Sequence, residues 1–267
     1  MYIGISTLRS LNQGSSFSPA SLFASGEKGA WYDPSDITTL FQDAAGTIPV
    51  TASGQPVGRI LDKSGNGAHA TQSTDSARPT YTVSGGLSYL LFDGSDDWLT
   101  ASSVNLSATN KVTFWAGVRK LTDSFQIICE TSTNTNEQAG SFAFWVHPSF
   151  AYYYTMRGSE TVALILSTFT APITNVHSCS LDLSQSTTIT EIVPRVNAAT
   201  PTLATVGGTQ AGGGNFENHA LYIGRRAGNQ ISFNGQLHQL IIRGAASSAG
   251  TISLGEKFVG GKCGIAL

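Results

Sequence analysis

The sequence predicts an all-β chain folded as a sandwich of two antiparallel sheets, with short helices near both ends. Three observations carry that prediction. Of 267 residues, 40% are hydrophobic but only 12% are charged, about half the charge of an average soluble domain. The apolar content is enough for a core, while Glu, Lys and Arg are too few to build helix faces in water. Ser and Thr make up about 23% of the chain and Gly, with 29 residues, about 11%, a composition suited to pleated half-buried surfaces and tight turns. Strand signals also recur at short intervals between clusters of Gly, Asn, Ser and Asp, which is the pattern of a sandwich or barrel.

In chain order, residues 1–27 carry little alternation and much Ser and Gly, and read as an N-terminal arm that anchors to neighbouring subunits. Residues 28–267 then form a single domain. Asp33-Pro34 makes a turn, and Ser35 or Asp36 caps a helix of one or two turns presenting Ile37, Leu40 and Phe41. Val57–Leu61 is a short strand stopped by the turn formers of Asp62–Gly67. The clearest strand is Lys111–Val118, with Val112, Phe114, Ala116 and Val118 on one face. Others are expected at Leu87–Phe92, Phe125–Glu130, Ser141–His147, Ala151–Arg157, Thr161–Ser167, Val176–Leu183, Thr188–Val196, Ala220–Arg225 and Gln236–Arg243. Near the C-terminus Ile252, Leu254, Glu256, Phe258 and Val259 predict a short helix ended by Gly260-Gly261. So many strands with a solvent-facing polar side imply two packed sheets, and a jelly roll is the economical connection.

Composition also excludes classes of partner. A formal net charge of -2 and a pI near 6.2 lack the basic footprint that neutralises phosphates, so nucleic acid is not an expected partner. The longest apolar runs, Phe142–Val146 and Val162–Leu166, fall far short of the roughly 20 residues that cross a bilayer, so membrane insertion is not expected. Cys129, Cys179 and Cys263 are odd in number and lack C-x-x-C spacing, which supports neither a zinc ribbon nor a disulfide framework. No basic start followed by an apolar stretch opens the chain, so the expectation is a protein that stays where it is made or leaves as part of a particle.

Two segments carry a family resemblance. Tyr89–Val118, with its FDG-x-x-D turn between strands, resembles the opening hairpin region of laminin-G-like, concanavalin A-type jelly rolls. Ala220–Gly244, an IG-R strand, a short turn, then F-x-G and an alternating strand, resembles the closing strands of the same family. Asn197-Ala198 stands where many relatives carry Asn-Gly, a departure from the usual tight turn. Gly29–Gln72 is similar to a leader found on laminin-G-like proteins of tailed bacteriophages, where such proteins tend to be virion components around the tail.

Candidate sites are few. Asp93, Asp96 and Asp97 form the densest carboxylate cluster, and the resemblance implies that calcium, which takes six to eight oxygen ligands, could bind there. The competing reading is a turn in which Asp side chains accept nearby backbone N–H groups. Trp145, Tyr152, Tyr153 and Tyr154, within the aromatic run Ser141–Arg157, are the candidate binding surface for a sugar or a protein, weighed against simple packing. The seven glutamates are scattered, with no E-x-D-x-E strand to line up a carboxylate pair. No G-x-S-x-G, H-E-x-x-H or phosphate loop is present, so no catalytic residue and no enzyme activity are expected. The five histidines show no ligand spacing.

The expectation is therefore a non-enzymatic structural component of a tailed-phage virion, at the tail tip or baseplate. Its partners would be other virion proteins, copies of itself and a host-surface glycan, and it would assemble in the host cytoplasm. The alternatives are a capsid decoration or minor capsid protein, and a free carbohydrate-binding lectin module.

Overall fold

The computed structural model describes residues 17–149, 151–227 and 231–267. Its strands are β1 (Gly29–Tyr32), β2 (Leu40–Phe41), β3 (Arg59–Ile60), β4 (Ala70–Thr71), β5 (Thr80–Ser84), β6 (Leu87–Asp93), β7 (Leu99–Asn105), β8 (Lys111–Lys120), β9 (Gln126–Thr131), β10 (Ser141–His147), β11 (Ala151–Arg157), β12 (Thr161–Leu166), β13 (Ile173–Asp182), β14 (Ile192–Val196), β15 (Leu203–Gly207), β16 (Asn218–Ile223) and β17 (Asn234–Arg243). The helices are α1 (Thr188–Glu191) and α2 (Ala249–Cys263), with three short 3₁₀ turns. A seven-stranded sheet runs β14-β13-β8-β17-β6-β5, with β1 also paired to β17, and a ten-stranded sheet runs β15-β12-β11-β10-β9-β16-β7-β4-β3-β2. Every strand pair is antiparallel. This is the all-β sandwich that composition and periodicity predict.

Alternation places the core between the sheets. On β8, Val112, Phe114, Ala116 and Val118 point inward as expected. Phe114 stacks on Phe142 of the opposite sheet, ring centroids 5.7 Å apart, and Phe144 stacks on Tyr154 at 5.0 Å. Trp115 points the other way, into a second apolar cluster with Trp31, Val176, Ile241, Val259 and Cys263, which α2 covers. Among the described residues no helix is long and apolar enough to cross a membrane.

Several local expectations are corrected. The helix expected after Asp33-Pro34 shrinks to a 3₁₀ turn at Ile37–Thr39, because Leu40–Phe41 instead pairs with β3. Helix α2 runs through Gly260-Gly261 and ends at Gly264, whose φ of +71° is the left-handed cap. Two of its glycines are contact points: a Cβ on Gly260 would lie 2.6 Å from the Ile265 carbonyl oxygen, and one on Gly255 would lie 2.5 Å from the Trp115 indole nitrogen, which donates to the Ile252 carbonyl at 3.2 Å. The strand expected over Thr188–Val196 divides into α1 and β14, since the Glu191 side chain accepts the Ala211 N–H with both oxygens, at 2.8 and 3.0 Å, and ties this turn to the next loop. Beyond β14, Asn197 and Ala198 take φ of +49° and +61°, and Val196 and Ala199 exchange both backbone hydrogen bonds. The tight hairpin turn thus forms without the glycine that usually occupies it.

The first part of the chain clasps the sandwich. Within the segment read as an arm, residues 1–16 lie outside the described residues, whereas 17–27 pack on the body: Leu22 and Phe23 join the Trp115 cluster, and Glu27 pairs with Arg243 at 2.6 Å. Residues 29–72 supply β1 to one sheet and β2–β4 to the other. The buried Asp62 carboxylate accepts the N–H groups of Trp31 and Ser64, each at 2.8 Å, and of Ala68 at 3.0 Å, fixing that crossover.

Candidate functional site

The aromatic run folds as the hairpin β10–β11 at the centre of one half of the ten-stranded sheet, so its rings alternate between the core and the outer face. Ile127, Trp145, Tyr153 and Ile165 are successive cross-strand partners on β9, β10, β11 and β12, forming one row on the outer face. A register shift between Phe144 and Trp145 adds a bulge beside this row, a local device for re-aiming side chains. Phe125, just before β9, stands 50% exposed at the end of the row. Its ring meets Trp145 edge-on at 6.4 Å and His147 at 4.8 Å, while Tyr153 lies 5.7 Å from Trp145 and 5.8 Å from His147. With Arg226 and Ile231 these residues line a cleft of about 370 Å³.

The cleft floor is held by charge. Arg226 donates from Nε and Nη2 to the two carboxylate oxygens of Glu130 at 2.9 and 2.7 Å, and its guanidinium lies 4.4 Å from the Trp145 ring centre. Glu130 also accepts the Thr135 N–H at 2.7 Å, and the Trp145 indole N–H donates to the Thr155 hydroxyl at 3.0 Å. Trp145 is therefore a fixed floor, only 4% exposed, and Phe125 and Tyr153 are the more open rings of the cleft. Burial holds the His147 imidazole below its ordinary range, so it stands neutral at pH 7. Such a cleft presents ring faces, an imidazole and a guanidinium edge, the set that stacks on and hydrogen-bonds to a polyhydroxylated ring.

Two of the four candidate aromatics are corrected. Tyr152 and Tyr154 face the core and are 0% and 1% exposed. Strand alternation opposite Tyr153 puts them there, and buried partners satisfy their hydroxyls. Tyr152 donates to Asn175 Oδ1 at 3.1 Å, and Tyr154 meets His177 Nδ1 at 2.7 Å. Lys120, 0% exposed, lies 4.9 Å over the Tyr152 ring and binds Asp123 at 2.6 Å. Burial pushes both tyrosine hydroxyls far up. Phe125, His147, Arg226 and Glu130 were not singled out from the sequence. The sequence places Phe125 only at the start of a strand, Phe125–Glu130, and carries no signal for its exposure.

The three aspartates do converge. One carboxylate oxygen from each of Asp93, Asp96 and Asp97 lies within 4.8 Å of the others, in the β6–β7 turn. The same groups brace that turn: Asp93 Oδ1 accepts the Ser95 N–H at 2.7 Å, and Asp97 Oδ2 accepts the Asp93 N–H at 3.0 Å. Burial, with the Asp93 and Asp96 charges adding to it against that hydrogen bond, pushes the Asp97 carboxyl up to about 7. A cation there would meet three of the six to eight oxygens that calcium takes, and the cluster stands apart from the aromatic cleft, whose lining does not include it.

Fold and cleft together define a jelly-roll β-sandwich with a concave aromatic patch on one outer face. No protein-family model matches this chain, and no curated protein matches it in sequence. Solved structures with a similar fold include an arabinofuranosidase in complex with arabinofuranosyl-α-1,2-xylobiose (14% identity, 92% of this chain and 65% of that one, TM-score 0.58). A Trypanosoma rangeli sialidase is similar at 10% identity over 89% of this chain and 33% of its own, TM-score 0.54. The binding domain of Paraclostridial mosquitocidal protein 1 is similar at 13% identity over 78% of this chain and 51% of its own, TM-score 0.54. The chain thus spans a third of the sialidase and about half of the toxin chain, and at these identities the likeness is one of fold. The expectation that the chain is not an enzyme is corrected by this finding. A sialidase and an arabinofuranosidase carry a similar fold, so the missing sequence motifs do not exclude catalysis.

Proposed function

We propose that this chain is a lectin-like attachment module of a tailed-bacteriophage virion, placed at the tail tip or baseplate, whose aromatic cleft holds a host-surface glycan. The observation that carries the binding part is the half-exposed Phe125 ring set beside Tyr153 over a floor fixed by Trp145 and Arg226. Phe125, Trp145, Tyr153, Ile165 and Ile231 line one contiguous apolar surface, and such surfaces rimmed by polar groups mark ligand grooves. The virion part rests on the resemblance of residues 29–72 to a phage leader, and the 12% charge suits a subunit packed beside copies of itself.

A glycan array probed with the full chain tests the first part, with released reducing ends read in parallel. Saturable binding that Phe125→Ala weakens at least about fivefold supports it. Silence on the array removes it, and released reducing ends replace binding with hydrolysis. Cryo-EM density for the protein on the head of purified virions and none on the tail would reject the placement.

A further inference from the structure

On the outer face of the other sheet, Thr174, Arg119 and Gln236 lie side by side on β13, β8 and β17 as successive cross-strand partners. Next to them β17 carries a bulge: Leu237 pairs with Val118 and Gln239 with Gly117, which leaves His238 as the extra residue. The bulge turns His238 into the wall of a cavity of about 380 Å³, whose other sides include Tyr89 and, from the end of α2, Cys263. That volume lies in the range of small-molecule sites, roughly 300–1,000 Å³.

Arg119 is the only charged residue of the lining, and no carboxylate is among the residues that line it. Among the described residues it makes no ion pair, and its one side-chain hydrogen bond runs from Nη1 to the Thr174 hydroxyl at 3.3 Å. The rest of its planar donor fork is unspent. His238 is 2% exposed, and neither of its ring nitrogens has a partner in hydrogen-bonding geometry. The Ser88 and Lys262 backbones approach the ring outside that geometry. Burial holds this imidazole down to about 4, so at neutral pH it adds no charge to the cavity wall. The Tyr89 ring sits 5.2 Å from it and supplies an apolar face. The cavity therefore combines a guanidinium without a counter-ion, an amide from Gln236 and the ring face of Tyr89.

We propose that this cavity is a second ligand site, separate from the aromatic cleft, that takes a small hydroxylated carboxylate such as a hexuronic acid. The Arg119 fork takes the carboxylate and the Gln236 amide takes a hydroxyl, with His238 as an uncharged part of the wall. Titration of the full chain with D-glucuronate, D-gluconate, D-glucose and acetate, followed by calorimetry and by the Gln236 side-chain amide resonance, tests it. Glucuronate is expected to saturate and to shift that amide, with glucose at least about tenfold weaker. Gluconate equal to glucuronate would assign an open-chain hydroxy acid, and gluconate weaker a ring sugar, both within the proposed chemistry. Arg119→Gln should lower glucuronate affinity at least about tenfold and Arg119→Lys less, because the lysine keeps the charge without the fork. Phe125→Ala should leave it unchanged. The proposal fails if glucuronate does not saturate by about 50 mM, if glucose binds equally, or if Phe125→Ala removes the binding. Should Arg119→Gln lose its fold by circular dichroism, the wild-type contrast of glucuronate with glucose and the amide shift decide the matter.

Discussion

Arg226 grips Glu130 through two hydrogen bonds of 2.7 and 2.9 Å while its guanidinium carbon sits over Trp145, 4.4 Å from the ring centre. One ion pair thus orients the floor of the aromatic cleft from below. Both partners are buried, 6% and 0% exposed at their side chains, so removing one charge leaves the other without compensation. Glu130→Gln should destabilise the protein by about 3 kcal/mol in urea unfolding. A companion Glu130→Gln/Arg226→Met variant should recover part of that loss. A Glu130→Gln midpoint equal to wild type would show that the pair does not hold the floor.

The cleft rim beside β9 and the core face of β11 separate binding from folding. Phe125→Ala removes a half-exposed ring and should change unfolding stability by under about 1 kcal/mol while weakening glycan binding. Tyr152→Ala empties a core position and should destabilise by about 3–5 kcal/mol. Measuring both quantities for both variants checks the assignment. Equal effects on stability would contradict it.

Acid should act on the core. Burial holds His177 down to about 3, with the Lys120 charge adding to it, and His238 down to about 4. Their folded-state values lie below the unfolded value near 6.5, so between those limits only the unfolded chain takes the protons. The stability these groups contribute is full above about pH 6.5 and declines as pH falls, by about 1–2 kcal/mol each at pH 5. His177→Gln, which can still meet the Tyr154 hydroxyl, should flatten the slope of urea midpoint against pH between 7 and 5. An unchanged slope would exclude His177 as a source.

Asp97 works in the opposite sense. Its folded value of about 7 lies above that of an unfolded aspartate, so the native chain holds a proton between about pH 4 and 7, and the cost of ionising it is complete only above that window. Asp97→Asn should be more stable than wild type by about 1–2 kcal/mol at pH 8 and equal to it at pH 4. Melting curves at the two pH values test this. A calcium-dependent rise in the wild-type melting temperature, missing in Asp97→Asn, would instead mark the three carboxylates as a cation site.

Two backbone positions give a pair of opposite results. Ala198, at φ +61°, occupies a conformation glycine tolerates better, so Ala198→Gly should raise stability by up to about 1 kcal/mol. Gly255→Ala should lower it, since the added methyl meets the Trp115 indole within 2.5 Å. Thermal melts of the two variants should move in opposite directions.

The sandwich was legible because its signal is periodic. The β8 alternation and the core residues it names stand as read, since inward and outward faces follow from one strand's pattern alone. Segments whose structure depends on distant partners were not legible. Glu191 turns a β-branched run into α1 by reaching Ala211, and Gly260-Gly261 reads as a stop until the Ile265 carbonyl and Leu267 are placed against Gly260. The site divides the same way. Tyr153 and Trp145 follow from alternation, which also sends Tyr152 and Tyr154 inward, whereas Arg226 and Glu130 are 96 residues apart and only the fold brings them together.

β1 carries a consequence for how the chain is made. Its partner on the seven-stranded sheet is β17, with Gly29 opposite Arg243 and Tyr32 opposite Leu240, more than 200 residues later. At a synthesis rate of roughly 5–20 residues per second, the early strand waits about 10–40 s for the last one to be translated. Contacts of such long separation form slowly. Trp31 and its neighbours therefore lack their β17 and α2 partners on the nascent chain until those segments are made, which makes this four-residue strand a place where folding and self-association compete.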